Sequence, residues 1–217
     1  MFITKISLAE QARNALLEEI VNGFLAAGTR LTEESISSRY QISRTPVRDA
    51  LRRLEDDGLI ERVSNRGYQV KKLDIAAVEE LLSCRTTVEL HIFTHDYANI
   101  SMDSLRELHA ELTALDPASP EALSIARRID DKLHNAINES CSNRYWRNIH
   151  SKLLCQRLPY RDIRNNGDHA LVMKLKNERL QLLAAILSGD AARGAEALRN
   201  HLEAGQRDVL AALQKNS

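Results

Sequence analysis

Arg44 and Arg48 stand four residues apart in the run "SRTPVRDALRRLEDDGLI" and therefore share one face of any helix formed there. An arginine fork can hydrogen-bond O6 and N7 of guanine together. Ser43 and Thr45, at the start of the same run, offer hydroxyls and backbone N–H groups to phosphates. Further on, Asn65-Arg66-Gly67 lies between two short apolar runs. Gly67 suits a tight turn, and Arg66 suits the negative potential of a narrow groove. These residue types and spacings fit a surface that reads double-stranded DNA. The plain alternative is a solvated helix face whose arginines pair with Asp49, Glu55, Asp56 or Asp57.

The elements needed to position such a surface are legible. Leu8, Ala12, Ala15, Leu16, Ile20 and Phe24 recur at helical steps over 8–24, with Ser7 as N-cap and Glu10 three residues later. Thr32 can cap a second helix carrying Ile36 and Tyr40. Ser43 is the expected cap of the third, with Pro46 tolerated in the first turn and Val47, Ala50, Leu51 and Leu54 as its buried stripe. Gly58 ends that helix. Leu59–Val63 and Tyr68–Val70 read as strands around a Ser64–Gly67 turn. The order helix, helix, helix, hairpin is a winged helix-turn-helix, in which the third helix enters the major groove.

Beyond "KKLD" the pattern is helical only, with helices expected over 75–98, 102–114, 119–142, 145–163, 169–188 and 190–214. The expected fold is mainly α: a winged domain over 1–72 and an all-α antiparallel helix bundle over 73–217, joined without a flexible linker. Net charge is zero over 217 residues, but residues 1–72 carry 12 Lys/Arg against 10 Asp/Glu, or +2. Three cysteines, Cys84, Cys141 and Cys155, form no CxxC and fit reduced thiols. No apolar run is long enough to span a membrane and no signal-peptide core is evident, so a cytoplasmic protein is expected. No Gly-rich phosphate loop, G-x-S-x-G or H-E-x-x-H supports an enzyme.

The segment 17–70 resembles the N-terminal domain of the GntR superfamily of bacterial transcription regulators. The resemblance implies a homodimer on a palindromic operator, more often as a repressor, with DNA contacts at Ser43, Arg44, Thr45, Arg48, Asn65, Arg66 and Gly67. The remainder is similar to the FCD effector domain of the FadR branch. "LLSCRTTVELHI" matches its opening helix at Arg85 and Glu89. "IDDKLHNAINESCSN" matches at Asp130, His134 and Asn143, with Leu133 where a Phe is usual. "NERLQLLAAILSGDAARGAEALRNHL" matches the last two helices, ending at His201.

Asp130 and His134 are four apart on one helix face, a reasonable half of a metal site. By the resemblance, two more histidines complete that site around Zn²⁺ or Ni²⁺, and the ion then binds a small carboxylate effector. His201 supplies one histidine, but position 179 is Arg179. Two readings follow. Asp130, His134 and His201 hold a divalent metal with Arg179 aside or clamping the effector, or Arg179 replaces the metal and forks an anion directly. The second is favoured, with Arg85, Asp130, His134, Arg179 and His201 as the effector site. In the plain alternative, His134 and His201 are core histidines. Arg157 and Arg161 read as a solvent-facing pair, His91 and His95 as a surface pair, and His150 as no ligand. Two other functions stay open, a metal-dependent hydrolase and a ligand-independent architectural DNA binder.

Overall fold

The computed structural model describes residues 6–63, 67–161 and 169–215. The chain divides into two compact units. The first comprises Met1–Ala77 with Cys155–Asp162, and the second Val78–Leu154 with Ile163–Ser217. The short segment from Cys155 therefore folds with the N-terminal unit, a grouping outside a simple 1–72 and 73–217 division.

The first unit contains α1 (Leu8–Val21), β1 (Arg30–Leu31), α2 (Glu33–Tyr40), α3 (Arg44–Asp56), β2 (Ile60–Val63) and β3 (Gly67–Val70). Ser7 caps α1 by accepting from the Glu10 backbone N–H, and Thr32 and Ser35 form a reciprocal capping box on α2. Ser43 occupies the N-cap position of α3 but its side chain makes no cap bond. Val47, Ala50, Leu51 and Leu54 are fully buried along α3, against Leu16, Ile20, Ile36, Leu59, Ile60 and Val70. That closed apolar stripe fixes which face of α3 remains outside. The sheet runs β1-β3-β2, all antiparallel, with Arg62 opposite Tyr68 and Val63 opposite Gly67. The two-residue β1 was not evident in the sequence. Gly67 has φ +84°, and a Cβ there would lie 2.7 Å from the Leu31 carbonyl oxygen, so only glycine lets β1 and the hairpin approach.

The second unit is built from α4 (Ile75–Asp96), a 3-10 turn (Tyr97–Asn99), α5 (Met102–Ala114), α6 (Ala122–Ser140), α7 (Arg144–Gln156), α9 (His169–Leu187) and α10 (Ala191–Lys215). The single helix expected over 145–163 is instead α7 and a four-residue α8 (Leu158–Arg161). Pro159 lies in the first turn of α8, where its missing N–H costs nothing, so it marks the start of a new helix inside the expected one. Asn143 caps α7 and Asp190 caps α10 through backbone N–H groups. Against Gly194 of α10 the Phe93 ring packs so closely that a Cβ would stand 2.8 Å from it. Leu105, Leu112, Ile129, Ile137, Leu183, Ile186 and Leu198 form the apolar interior. Within it, α4, α6, α7 and α9 also bury charged and polar side chains: Arg85, Glu89, Asp130, His134, His150 and Arg179.

Candidate functional site

On the first unit, the outward face of α3 carries Arg44 and Arg48, with side chains 62 % and 48 % exposed. Ser43, Thr45 and Gly67 are exposed beside them. Asn65 and Arg66 lie outside the described residues. The arginines pair with α2 rather than with the nearby acids of α3. Arg48 forks onto Glu33 through Nε at 2.7 Å and NH2 at 2.8 Å, and Arg44 NH2 donates to Glu34 at 3.1 Å. The Arg48 hydrogen bond holds the Glu33 carboxyl below its usual range.

An open cleft of about 520 Å³ adjoins this face, lined by Glu33, Arg48, Arg52, Arg62, Val63, Gly67 and Tyr68. Three arginines face one glutamate there, so a net-neutral chain presents a locally positive groove. Arg62 donates to the Tyr68 hydroxyl at 2.8 Å and lies 5.1 Å over its ring. Arg52 and Arg62 were missed in the sequence. Arg52 continues the four-residue spacing of Arg44 and Arg48, which is the signal that could have found it.

In the second unit, five helices converge on one charged cluster. Glu89 of α4 is fully buried and is its hub. Its carboxylate accepts from Arg85 Nε at 3.1 Å, from His150 Nε2 at 3.1 Å and from His134 Nδ1. Burial alone would raise the Glu89 pKa, but His134, Arg85 and the hydrogen bonds hold it well below the ordinary 4.5. Asp130 of α6 behaves likewise. Burial pushes its pKa up, and the Arg179 guanidinium, followed by His134, holds it well below 3.8. Arg179 Nε donates to Asp130 Oδ1 at 2.9 Å. The same oxygen lies 3.6 Å from His134 Nε2 and 3.4 Å from His201 Nε2. The two Nε2 atoms are 3.4 Å apart. Arg85, Asp130, His134, Arg179 and His201 are thus brought together, linked through Glu89.

His150 is the member that sequence reading missed. It is fully buried, and its Nδ1 faces Asn138 Oδ1 at 3.1 Å. Its signal was weak: on α7 it precedes the buried Leu153 and Leu154 at helical steps. Arg157 is buried in the first unit, at 6 % exposure, and not solvent-facing. The His91 and His95 rings lie 4.1 Å apart, tilted by 33°, and His91 lies 4.8 Å from Trp146, so the pair is an aromatic surface group.

Asp130, His134 and His201 each place one donor atom within 4.8 Å of the others, close enough to touch a common divalent ion. The charges do not suit one. Asp130 is already paired with Arg179 and Glu89 with Arg85, so each carboxylate that would neutralise a cation has a guanidinium on it. As they stand, these residues do not fit a divalent ion.

The cluster sets a pH dependence. His201 is held below its ordinary 6.5, first by burial. Below 6.5 the unfolded chain therefore takes up a proton that the folded chain resists, and stability falls as pH drops. Glu89 and Asp130 have depressed folded values, so they add a second loss below the ordinary carboxyl range. Urea unfolding at pH 7.5, 5.5 and 4 is expected to show falling stability at both steps. His201→Gln should flatten the first step. A rise on acidification would contradict this ledger.

A winged helix-turn-helix with a basic outer face, joined in one chain to a helical unit with a buried polar centre, defines a DNA-binding regulator with a ligand-binding domain. The comparisons agree. Residues 8–70 match the model for bacterial regulatory proteins of the gntR family, and residues 80–204 match the FCD domain. The chain belongs to the GntR family of transcriptional regulators, among those that carry an FCD domain. It is 28 % identical over 206 residues to the HTH-type transcriptional regulator BphR of Paraburkholderia xenovorans, covering 91 % of this chain and 83 % of that one. It is 24 % identical to the HTH-type transcriptional repressor RspR of Escherichia coli, covering 96 % and 91 %. In fold it resembles the solved structure of McbR/YncC of E. coli, with a TM-score of 0.75, 21 % identity and coverage of 98 % and 99 %. These relatives and families are transcriptional regulators, not enzymes. Among the described residues no helix is long and apolar enough to cross a membrane.

Proposed function

We propose that this regulator is a ligand-responsive repressor of the FadR branch, acting in the cytoplasm. It binds a palindromic operator as a homodimer through a winged domain over 1–72. A small carboxylate-bearing metabolite, held in the helical domain over 73–217, changes its affinity for DNA. The reading surface is Ser43, Arg44, Thr45 and Arg48 with Asn65, Arg66 and Gly67 of the wing, flanked by Arg52 and Arg62. The effector site is Arg85, Asp130, His134, Arg179 and His201. Two repressors of E. coli among the relatives, RspR and GlaR, support the repressor role.

One observation supports the sensor most. A helical bundle gains little stability from burying two carboxylate–arginine pairs and three imidazoles, because desolvation consumes most of the attraction. The cluster from Arg85 to His201 is better understood as a place for a polar ligand.

The test begins with the duplex that the protein itself selects from random sequence. Affinity for that duplex is measured with and without acetate, lactate, succinate and citrate. At least one is expected to weaken binding by about 5–150-fold, the usual range for coupling between two sites. A palindrome bound with the same affinity under all four would support the architectural binder instead.

A further inference from the structure

We propose that the effector site works without a metal, and that Arg179 is the cationic group that holds the ligand's carboxylate directly. The inference rests on the carboxylate reading above and deepens it.

The first support is charge. In the cluster, Asp130 faces Arg179 at 2.9 Å and Glu89 faces Arg85 at 3.1 Å. A divalent ion would enter with both nearby negative charges already matched, and would stand beside a guanidinium. It would also compete with Arg179 for Asp130 Oδ1, the oxygen on which His134 and His201 both converge.

The second support is hydrogen bonding, since the contact between His134 and His201 finds a donor and an acceptor without an ion. A His134 proton on Nδ1 serves Glu89, leaving Nε2 as an acceptor. A His201 proton on Nε2 can then be shared between Asp130 Oδ1 and His134 Nε2, both at 3.4 Å. The His134–Glu89, His201–Asp130 and His201–His134 contacts then each pair a donor with an acceptor. A metal site would instead need the His201 proton on Nδ1, so that both Nε2 lone pairs faced the ion.

The third support is the guanidinium itself. The Arg179 side chain is 9 % exposed. Its Nε serves Asp130, and its NH1 donates to the Leu175 carbonyl at 3.1 Å. Among the described residues, no acceptor takes its NH2. That leaves a nearly buried cationic donor beside His201, whose side chain, at 15 % exposure, is the most accessible of the group. An arginine with remaining N–H groups in such a place is a receptor for a planar anion. The ligand class is accordingly an organic anion with at least one carboxylate, bound by Arg179 with His201 and with no ion between them.

The experiment uses zinc chloride and nickel chloride as probes on the full-length, tag-free protein. After incubation and gel filtration, metal per subunit is read by mass spectrometry, and melting is followed with and without metal. The wild type is expected to retain far less than one equivalent and to melt unchanged. R179H is expected to retain close to one equivalent and to gain about 5–10 °C at a hundredfold excess over its Kd. Adding H201A to R179H should abolish both effects. If R179H does not fold, R179Q removes the charge at similar size and should take up more zinc than the wild type. Near-stoichiometric metal in the wild type would overturn the proposal and leave the carboxylate reading standing. So would folded R179H or R179Q that binds no more metal than the wild type. Carboxylates that never alter operator affinity would defeat the carboxylate reading without touching the metal result.

Discussion

Arg44→Ala and Arg48→Ala each cost about 1–3 kcal/mol of operator affinity, roughly 5–150-fold, and the loss falls on the selected duplex far more than on a scrambled one. The two residues lie one turn apart on the outer face of α3, and the inner face is locked by Val47, Ala50, Leu51 and Leu54. Truncating the arginines therefore leaves the core intact, and far-UV circular dichroism should not change. Arg52→Ala and Arg62→Ala behave differently. They line the groove beside that face and weaken both duplexes alike, each reducing the slope of log affinity against log salt by about 1. Fluorescence anisotropy on the two duplexes at several salt concentrations separates the two classes. Unchanged discrimination in both R44A and R48A would remove α3 as the reading element.

Glu89→Ala is expected to have the largest effect on stability, a loss of about 3–5 kcal/mol. The carboxylate is fully buried and accepts from Arg85, His150 and His134. Its removal takes the counter-charge from a buried guanidinium and the acceptor from two buried imidazoles. In a chain of this size that corresponds to a melting temperature lower by about 6–20 °C. Glu89→Gln keeps the shape and one acceptor oxygen, so its cost is smaller, about 1–3 kcal/mol. Urea unfolding monitored by circular dichroism ranks the three proteins. An alanine variant as stable as the wild type would mean that the cluster is not a connected network.

The winged unit was readable because its signals are local. Apolar steps, Thr32, Pro46, Gly58 and Gly67 each specify a backbone state within a few residues. What escaped was tertiary. Glu33 and Glu34 were not read as partners of Arg48 and Arg44, since they lie 15 and 10 residues away and meet them only when α2 packs on α3. The strand β1 has two residues and no side-chain pattern, and exists because β3 offers it a free edge. The break between α7 and α8 was hidden because a proline can end one helix or begin the next.

In the helical unit, positions 85, 89, 130, 134, 179 and 201 were found through resemblance, but the role of Glu89 as a hub for several helices was not. Burial of an entire carboxylate with three donors is a property of several helices at once. His150 looked ordinary for the same reason, since its meaning lies in Glu89 of another helix.

The carboxylates on α2 bear on how such a protein would search a genome. If Arg44 and Arg48 read DNA as proposed, they come to it with counterions already built into the fold. On an arbitrary stretch of duplex, a phosphate offers little that Glu33 and Glu34 do not. Only a guanine edge correctly placed in the groove returns more than the exchange costs. Wrong sites are therefore left quickly, and the excess of irrelevant DNA sequesters less of the protein.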